Sequence, residues 1–269
     1  MLTRLETSEK TDIAKTFDCG QCFRWNADIN GVYEGVAYGM PALISQTGGT
    51  IEIDSPAGAE FWEEYLDLNS EYESQTKGWS GIEYLAECTE FSKGIRILRQ
   101  EPWEALCSFI ISQCNNITRI KGIVERLCSE CGEKYEYNGK TYSLFPSAAK
   151  LAPLNAEDLA FLRAGYRAPY IINAARAVDS GEIDLEELKS ISCTEAKKEL
   201  LKLEGIGPKV ADCAVLFGLH HMEAFPVDVW MKRALAGHFP KDFRPETLGP
   251  YAGLAQQYIF YYTREKGKN

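Results

Sequence analysis

Lys209 stands where a lysine amine can work as a nucleophile. It closes the run Leu203-Glu204-Gly205-Ile206-Gly207-Pro208-Lys209, and Cys213 follows it by four residues. Pro208 suits the first position of a helix, so Lys209 falls in the first turn, at the positive end of the helix dipole. That setting, screened from water, favours the neutral amine, which is the nucleophilic form. Gly205 and Gly207 allow backbone angles closed to other residues and let a phosphate come close. Asp228 lies 19 residues beyond Lys209, just ahead of another apolar helical run. A carboxylate there can stabilise positive charge. Each residue has an ordinary reading too: a tight turn, a surface lysine, a helix cap. It is the joint spacing that points to chemistry.

The elements that must position these groups are legible in outline. The first part reads as an antiparallel meander. Cys22–Trp25 is one expected strand. Asp28-Ile29-Asn30-Gly31 turns into Val32–Ala37, and Ala42–Ser45 and Thr50–Ile53 flank Thr47-Gly48-Gly49. Phe61, Trp62, Tyr65 and Leu66 then fall on one helical face. Beyond residue 80 the pattern is helical, apart from a short strand pair around Tyr135–Leu144. Pro102 opens a helix to Ser112, Asn155 caps Ala156–Arg163, and Pro169 opens Tyr170–Asp179. Thr194 caps a helix to Leu203, and Pro208–Leu219 is the second arm of the hairpin, which spans 194–220. Asp228 caps Val229–Ala236, and a last helix runs from Pro245 through Tyr262. The expected class is α+β, with a sheet domain over 1–80 and a helical domain over 81–269.

Five blocks in order resemble one family. They are Gly20-Gln21-Cys22-Phe23-Arg24-Trp25, Asn115-Asn116-Ile117-Thr118-Arg119-Ile120, Gly165-Tyr166-Arg167-Ala168, the Lys209 run with Asp228, and Ala252-Gly253-Leu254-Ala255-Gln256 with Phe260. Together they resemble bifunctional 8-oxoguanine DNA glycosylase/AP lyases of the helix-hairpin-helix superfamily. The resemblance implies that Lys209 attacks the sugar, expels the base and forms a Schiff base. It gives Asp228 the developing positive charge, and it has Cys213 and Phe260 sandwich the flipped base. Gln256 would read the Watson–Crick edge, with Pro226 in the pocket wall. Gly20 would offer a carbonyl to the hydrogen that oxidation adds at N7. Tyr166 would wedge into the vacated stack, while Arg119 and Arg167 hold the orphan cytosine. Gly205 and Gly207 would grip the DNA backbone. The implied partner is double-stranded DNA carrying 8-oxoguanine, met by a monomer.

Two positions depart from the family pattern. Cys114 precedes Asn115 and Asn116 where a third asparagine is usual, and cysteine is a poor hydrogen-bonding substitute. Trp230 stands where some relatives have histidine, so a phosphate contact would differ. No catalytic metal or redox cofactor is implied. A structural cation at the hairpin carbonyls occurs in relatives, and the sequence leaves it open here. Cys19-x-x-Cys22 and Cys128-x-x-Cys131 have metal-ligand spacing but lie far apart in sequence, and no cysteine follows Cys213 to build an iron–sulfur loop. His220, His221 and His238 form no metal motif.

The net charge of −10 speaks against nucleic acid until its distribution is examined. Residues 51–90 hold eleven acidic side chains against one lysine, and the other residues balance. A neutral body with an acidic flank can still present a basic surface. Nine cysteines and a charged first segment fit a reduced, cytoplasmic setting in a prokaryote-like protein, and no apolar run is long enough for a membrane. Two other functions stay open on sequence: a non-catalytic DNA-binding module, and a glycosylase for oxidised pyrimidines or alkylated purines.

Overall fold

Alternating apolar residues build the first sheet. In the computed structural model, which describes residues 1–7 and 9–267, five antiparallel strands lie in the order β1-β5-β4-β3-β2. They are β1 (Leu2–Glu6), β2 (Asn26–Ala27), β3 (Tyr33–Ala37), β4 (Met40–Thr47) and β5 (Thr50–Asp54). Register pairs Tyr33 with Ile44 and Ile44 with Ile53, and Leu5 with Ile51, so all five side chains face one core. The two expected turns are present, with Gly31 and Gly48 at positive φ. β1 was not anticipated. Its charged residues face out, and Arg4 meets Glu52 across the strands at 2.7 Å. Helices α1 (Ile13–Asp18) and α2 (Ala59–Tyr65) cover the sheet, and α2 buries Trp62 and Tyr65.

Cys22–Trp25 is not a strand, apart from the pair β2 that follows it. Cys22 and Trp25 belong to the sheet core, whereas Cys19 and Phe23 belong to the helical core. The alternation therefore reflects two separate cores, not two faces of one sheet. Core membership also interleaves around residue 80: Tyr72 and Trp79 pack into the helical core, and Leu98 packs under the sheet.

The helical part comprises α3 (Tyr72–Thr76), α4 (Glu83–Ser92), α5 (Pro102–Ser112), α6 (Ile117–Cys131), α7 (Ala148–Leu151), α8 (Arg167–Asp179), α9 (Leu185–Leu188), α10 (Cys193–Leu200), α11 (Pro208–Phe217), α12 (Val229–His238) and α13 (Ala252–Lys266). The short pair β6 (Lys134–Tyr137) and β7 (Lys140–Ser143) interrupts it. α5 is apolar on nearly every face and is buried accordingly, packed against α6, α8 and α11. Glu101 caps it by accepting from the amides of Trp103 and Glu104.

Several boundaries differ from expectation for local reasons. α10 starts at Cys193, because Ser192 and Glu195 close a reciprocal capping box and leave Thr194 inside the helix. Asn155 accepts from the amides of Glu157 and Asp158, but the result is a turn with a 3-10 segment at Ala160–Leu162. Arg163, at φ 53°, ends that segment. α8 begins at Arg167, so Pro169 sits within its first turn, where a missing amide is tolerated. Pro245–Tyr251 is a 3-10 stretch broken at Gly249, and α13 continues past Tyr262 to Lys266.

Candidate active site

The hairpin sets the lysine. α10 and α11 are tied by an ion pair of 2.6 Å between Lys197 and Asp212. Gly205 has φ +81°, and a Cβ there would lie 2.2 Å from the Tyr170 ring. Glycine is thus demanded by a ring pressed against the loop. Gly207 differs from expectation: its φ of −90° is open to any residue, and nothing lies within 4 Å of its Cβ direction. It caps α11 on the exposed side of the loop.

α11 then carries Lys209 and Cys213 into a pocket lined also by Gly20, Phe109, Phe217, Pro226, Asp228, Gln256, Gln257 and Phe260. Lys209 is half-buried, and its Nζ donates to Ser112 Oγ at 2.9 Å and lies 5.4 Å from the centre of the Phe109 ring. Phe109 stacks on Phe217, with ring centres 5.3 Å apart, giving the amine an apolar floor. Asp228 caps α12 by accepting from the Met231 amide at 2.9 Å through Oδ1. Burial pushes the Cys213 thiol up to about 11, although the neighbouring Lys209 charge pulls it back. It is therefore a neutral, apolar wall at working pH.

α13 supplies the opposite wall. Gln256 is buried, and its Oε1 has no hydrogen-bond partner. Gln257 donates to the Cys19 carbonyl at 2.9 Å, Arg264 donates to the Asp18 carbonyl at 2.7 Å, and Gln100 donates to the Gln21 carbonyl at 2.8 Å. The carbonyls flanking Gly20 are thus engaged, and Gly20 itself sits at φ +87°. The Gln21 side chain anchors the same segment, donating to the carbonyls of Thr16 and Arg96 and accepting from the Leu98 amide.

The outer rim is one chain of contacts. Tyr170, under Gly205, meets Tyr166 edge-on at 6.0 Å, and Tyr166 covers the Arg167 guanidinium at 4.4 Å. Tyr166 is half exposed and Arg119 is exposed, as an outward-facing role requires. Arg167 is different. It is buried, and it donates to the carbonyls of Gln113 and Ala164. It braces the loop before α6 instead of facing the open side. Cys114 is exposed with φ 51°. Asn115 donates to Ile111 O, and Asn116 caps α6. Trp230 is half-buried against the end of α13 near Gly267 and lies 5.2 Å from the Arg233 guanidinium.

Sequence reasoning passed over Ser112, Phe109, Phe217, Gln257 and Arg264. Arg264 had a signal in its spacing from Gln256 and Phe260, which puts all three on one side of α13. Ser112 had none. Among the described residues no cluster of three or more histidine, cysteine or acidic side chains could hold a metal, and no helix is long and apolar enough to cross a membrane. Cys19 and Cys22 are packing residues in different cores, and burial pushes both thiols up.

Residues 4–106 match the family model of the 8-oxoguanine DNA glycosylase N-terminal domain, and residues 107–246 match that of the HhH-GPD superfamily base excision DNA repair proteins. A probable N-glycosylase/DNA lyase of Methanothermobacter thermautotrophicus is 30% identical over 212 residues, covering 68% of each chain. The N-glycosylase/DNA lyase OGG1 of Arabidopsis thaliana is 30% identical over 94% of this chain and 78% of its own. The structure of Clostridium acetobutylicum 8-oxoguanine glycosylase/lyase in complex with dsDNA containing cytosine opposite to 8-oxoG superposes with a TM-score of 0.90 at 37% identity, covering 99% of this chain and 98% of that one. This chain belongs to the 8-oxoguanine DNA glycosylase family within the HhH-GPD superfamily, and it is a base excision DNA repair enzyme, an N-glycosylase/DNA lyase.

Proposed function

We propose that this enzyme flips 8-oxoguanine out of duplex DNA opposite cytosine, excises it with Lys209 and cleaves the strand at the resulting abasic site. The carrying observation is the pocket that gathers Lys209, Cys213, Asp228, Gln256, Phe260 and Gly20 from distant parts of the chain. Lys209 first releases its ammonium proton; the free amine then forms a bond to C1′, and the C1′–N9 bond breaks with its electron pair leaving on the base. Loss of the amine proton and opening of the sugar ring give a Schiff base. Removal of a C2′ proton then expels the 3′ phosphate. Asp228 stabilises the positive charge on the sugar, and Ser112 holds the amine in place before attack. Lysine as nucleophile makes a metal or redox cofactor unnecessary.

Selection of the base rests on two acceptors. Guanine oxidation turns N7 from acceptor into donor, which suits the Gly20 carbonyl and leaves ordinary guanine facing an acceptor. Gln256 Oε1, buried without a partner, is suited to a donor on the Watson–Crick edge. Cys213 and Phe260 supply the two apolar faces, and Pro226 closes the wall. Tyr166 and Arg119 act at the gap left in the duplex, and the Gly205–Gly207 loop holds the backbone. The protein acts as a monomer.

Strand nicking on duplexes carrying 8-oxoguanine, guanine, an oxidised pyrimidine or an alkylated purine tests the reading. Cleavage of the first duplex alone supports it. Preference for the pyrimidine or the alkylated base would overturn it, and binding without any cleavage would return the chain to a non-catalytic role.

A further inference from the structure

Three groups converge on one point behind the base pocket. A Cβ placed on Gly20 would lie 3.2 Å from Ile117 Cδ1, 3.3 Å from Arg264 Nη1 and 3.4 Å from Phe260 Cε1. Arg264 is 8% exposed, an unusual burial for an arginine. Its Nη2 donates to the Asp18 carbonyl at 2.7 Å, and Nε and Nη2 bond Glu265 Oε1 at 3.0 and 2.9 Å. Its Nη1 is buried with no hydrogen-bond partner. The guanidinium carbon lies 5.5 Å from the ring centres of both Phe260 and Tyr261. One side chain therefore touches the backbone that presents Gly20 and the ring that stacks on the base.

We infer that Arg264 is a positioning residue for lesion recognition, fixing the Gly20 carbonyl and the Phe260 ring relative to each other. This rests on the reading of the pocket given above. A fork of donors on a planar group fits such a role better than a point charge, because it fixes direction as well as distance. Arg264 and Gln257 are seven residues apart on α13 and take consecutive carbonyls, those of Asp18 and Cys19. The helix that carries Gln256 and Phe260 therefore also sets the backbone that reads N7. Without Arg264, the Asp18–Gly20 segment keeps one of its two ties to α13. A recognition carbonyl displaced beyond about 0.5 Å leaves the geometry such sites need and loses selectivity.

The test separates recognition from strand chemistry. A preformed abasic site has no base, so β-elimination there bypasses the pocket that Arg264 organises. Arg264→Met keeps the length and the ring contact but removes the donors, while Arg264→Lys keeps one charged donor. Excision from 8-oxoguanine:cytosine duplex is expected to fall about 10-fold or more in the methionine variant, the worth of the charge-assisted hydrogen bond to the Asp18 carbonyl. Cleavage of the abasic duplex should stay within about 2-fold of wild type, and lysine should recover part of the excision. Melting temperatures of all three proteins check folding. Unchanged excision in Arg264→Met overturns the inference. So does a parallel fall in both activities, which marks a general structural role. Failure of the wild-type protein itself on 8-oxoguanine:cytosine duplex sinks the underlying reading of the pocket instead.

Discussion

Gly205→Ala is the sharpest probe of how the hairpin is built. Two independent costs meet there. The residue has φ +81°, which an L-residue with a Cβ adopts at a cost of about 1–2 kcal/mol. The new Cβ would also lie 2.2, 2.3 and 2.5 Å from Tyr170 ring atoms, contacts no packed structure accepts, so the ring or the loop must move. Overpacking of that kind costs about 1–3 kcal/mol. The sum, about 2–5 kcal/mol, corresponds to a fall of roughly 4–20 °C in melting temperature for a chain of this size. Tyr170 also touches Tyr166, so the displaced ring should weaken binding to duplex DNA. Truncating the ring isolates the steric part. In a Tyr170→Ala background, Gly205→Ala should cost about 1–3 kcal/mol less than in wild type, a coupling read by a double-mutant cycle in urea. Gly207→Ala is the control, with open space around its Cβ direction and an ordinary φ, and should cost only the difference between glycine and alanine at a helix N-cap, about 1 kcal/mol or less. Equal effects of the two alanine substitutions, or no relief in the Tyr170→Ala background, would refute the reasoning.

Other consequences follow from single environments. Glu104 lies 3.7 Å from Arg24 with little exposure, and burial raises its carboxyl to about 7 despite that arginine. Its folded pKa exceeds the unfolded value, so the folded state binds more protons between about pH 4.5 and 7 and stability falls as pH rises through that window. Urea midpoints at intervals across it should decline in wild type and lose that slope in Glu104→Gln; identical slopes would discount the group. Cys114 holds φ 51°, a conformation asparagine enters more readily than cysteine. Cys114→Asn should raise stability by a few tenths of a kcal/mol and sharpen preference for cytosine opposite the lesion, measured as the ratio of excision rates against the four opposing bases. The buried Cys213 thiol, held near 11, should resist iodoacetamide at pH 7.5 far longer than exposed Cys114, as mass spectrometry of timed samples would show.

The sequence carried what local chemistry writes into it. Pro102 and Asp228 mark their helices because each acts on the backbone of its own first turn. The turns at Gly31 and Gly48 are similarly local. Lys209, Cys213 and Asp228 were legible because hairpin, helix phase and cap are short-range features. What failed depends on distant partners. Cys22–Trp25 looked like a strand because nothing local says that neighbouring residues serve different cores. The resemblance gave Arg167 to the orphan cytosine, and nothing local shows that its guanidinium also bonds the Gln113 carbonyl, on a loop 54 residues away. Gly207 looked as constrained as Gly205, and only the Tyr170 ring tells them apart. Thr194 lost the cap to Ser192 through a local rule that was available, the Ser-x-x-Glu box.

The central claim is that Lys209 forms a covalent bond with the sugar of the damaged nucleotide, and borohydride trapping measures that bond directly. The enzyme is incubated with an 8-oxoguanine:cytosine duplex and reductant, beside Lys209→Gln and a guanine:cytosine duplex. A covalent protein–DNA product that requires both the lesion and Lys209 is the predicted result. A trapped product of equal yield with Lys209→Gln would place the nucleophile elsewhere, and no trapped product from wild type despite base release would contradict the Schiff-base account.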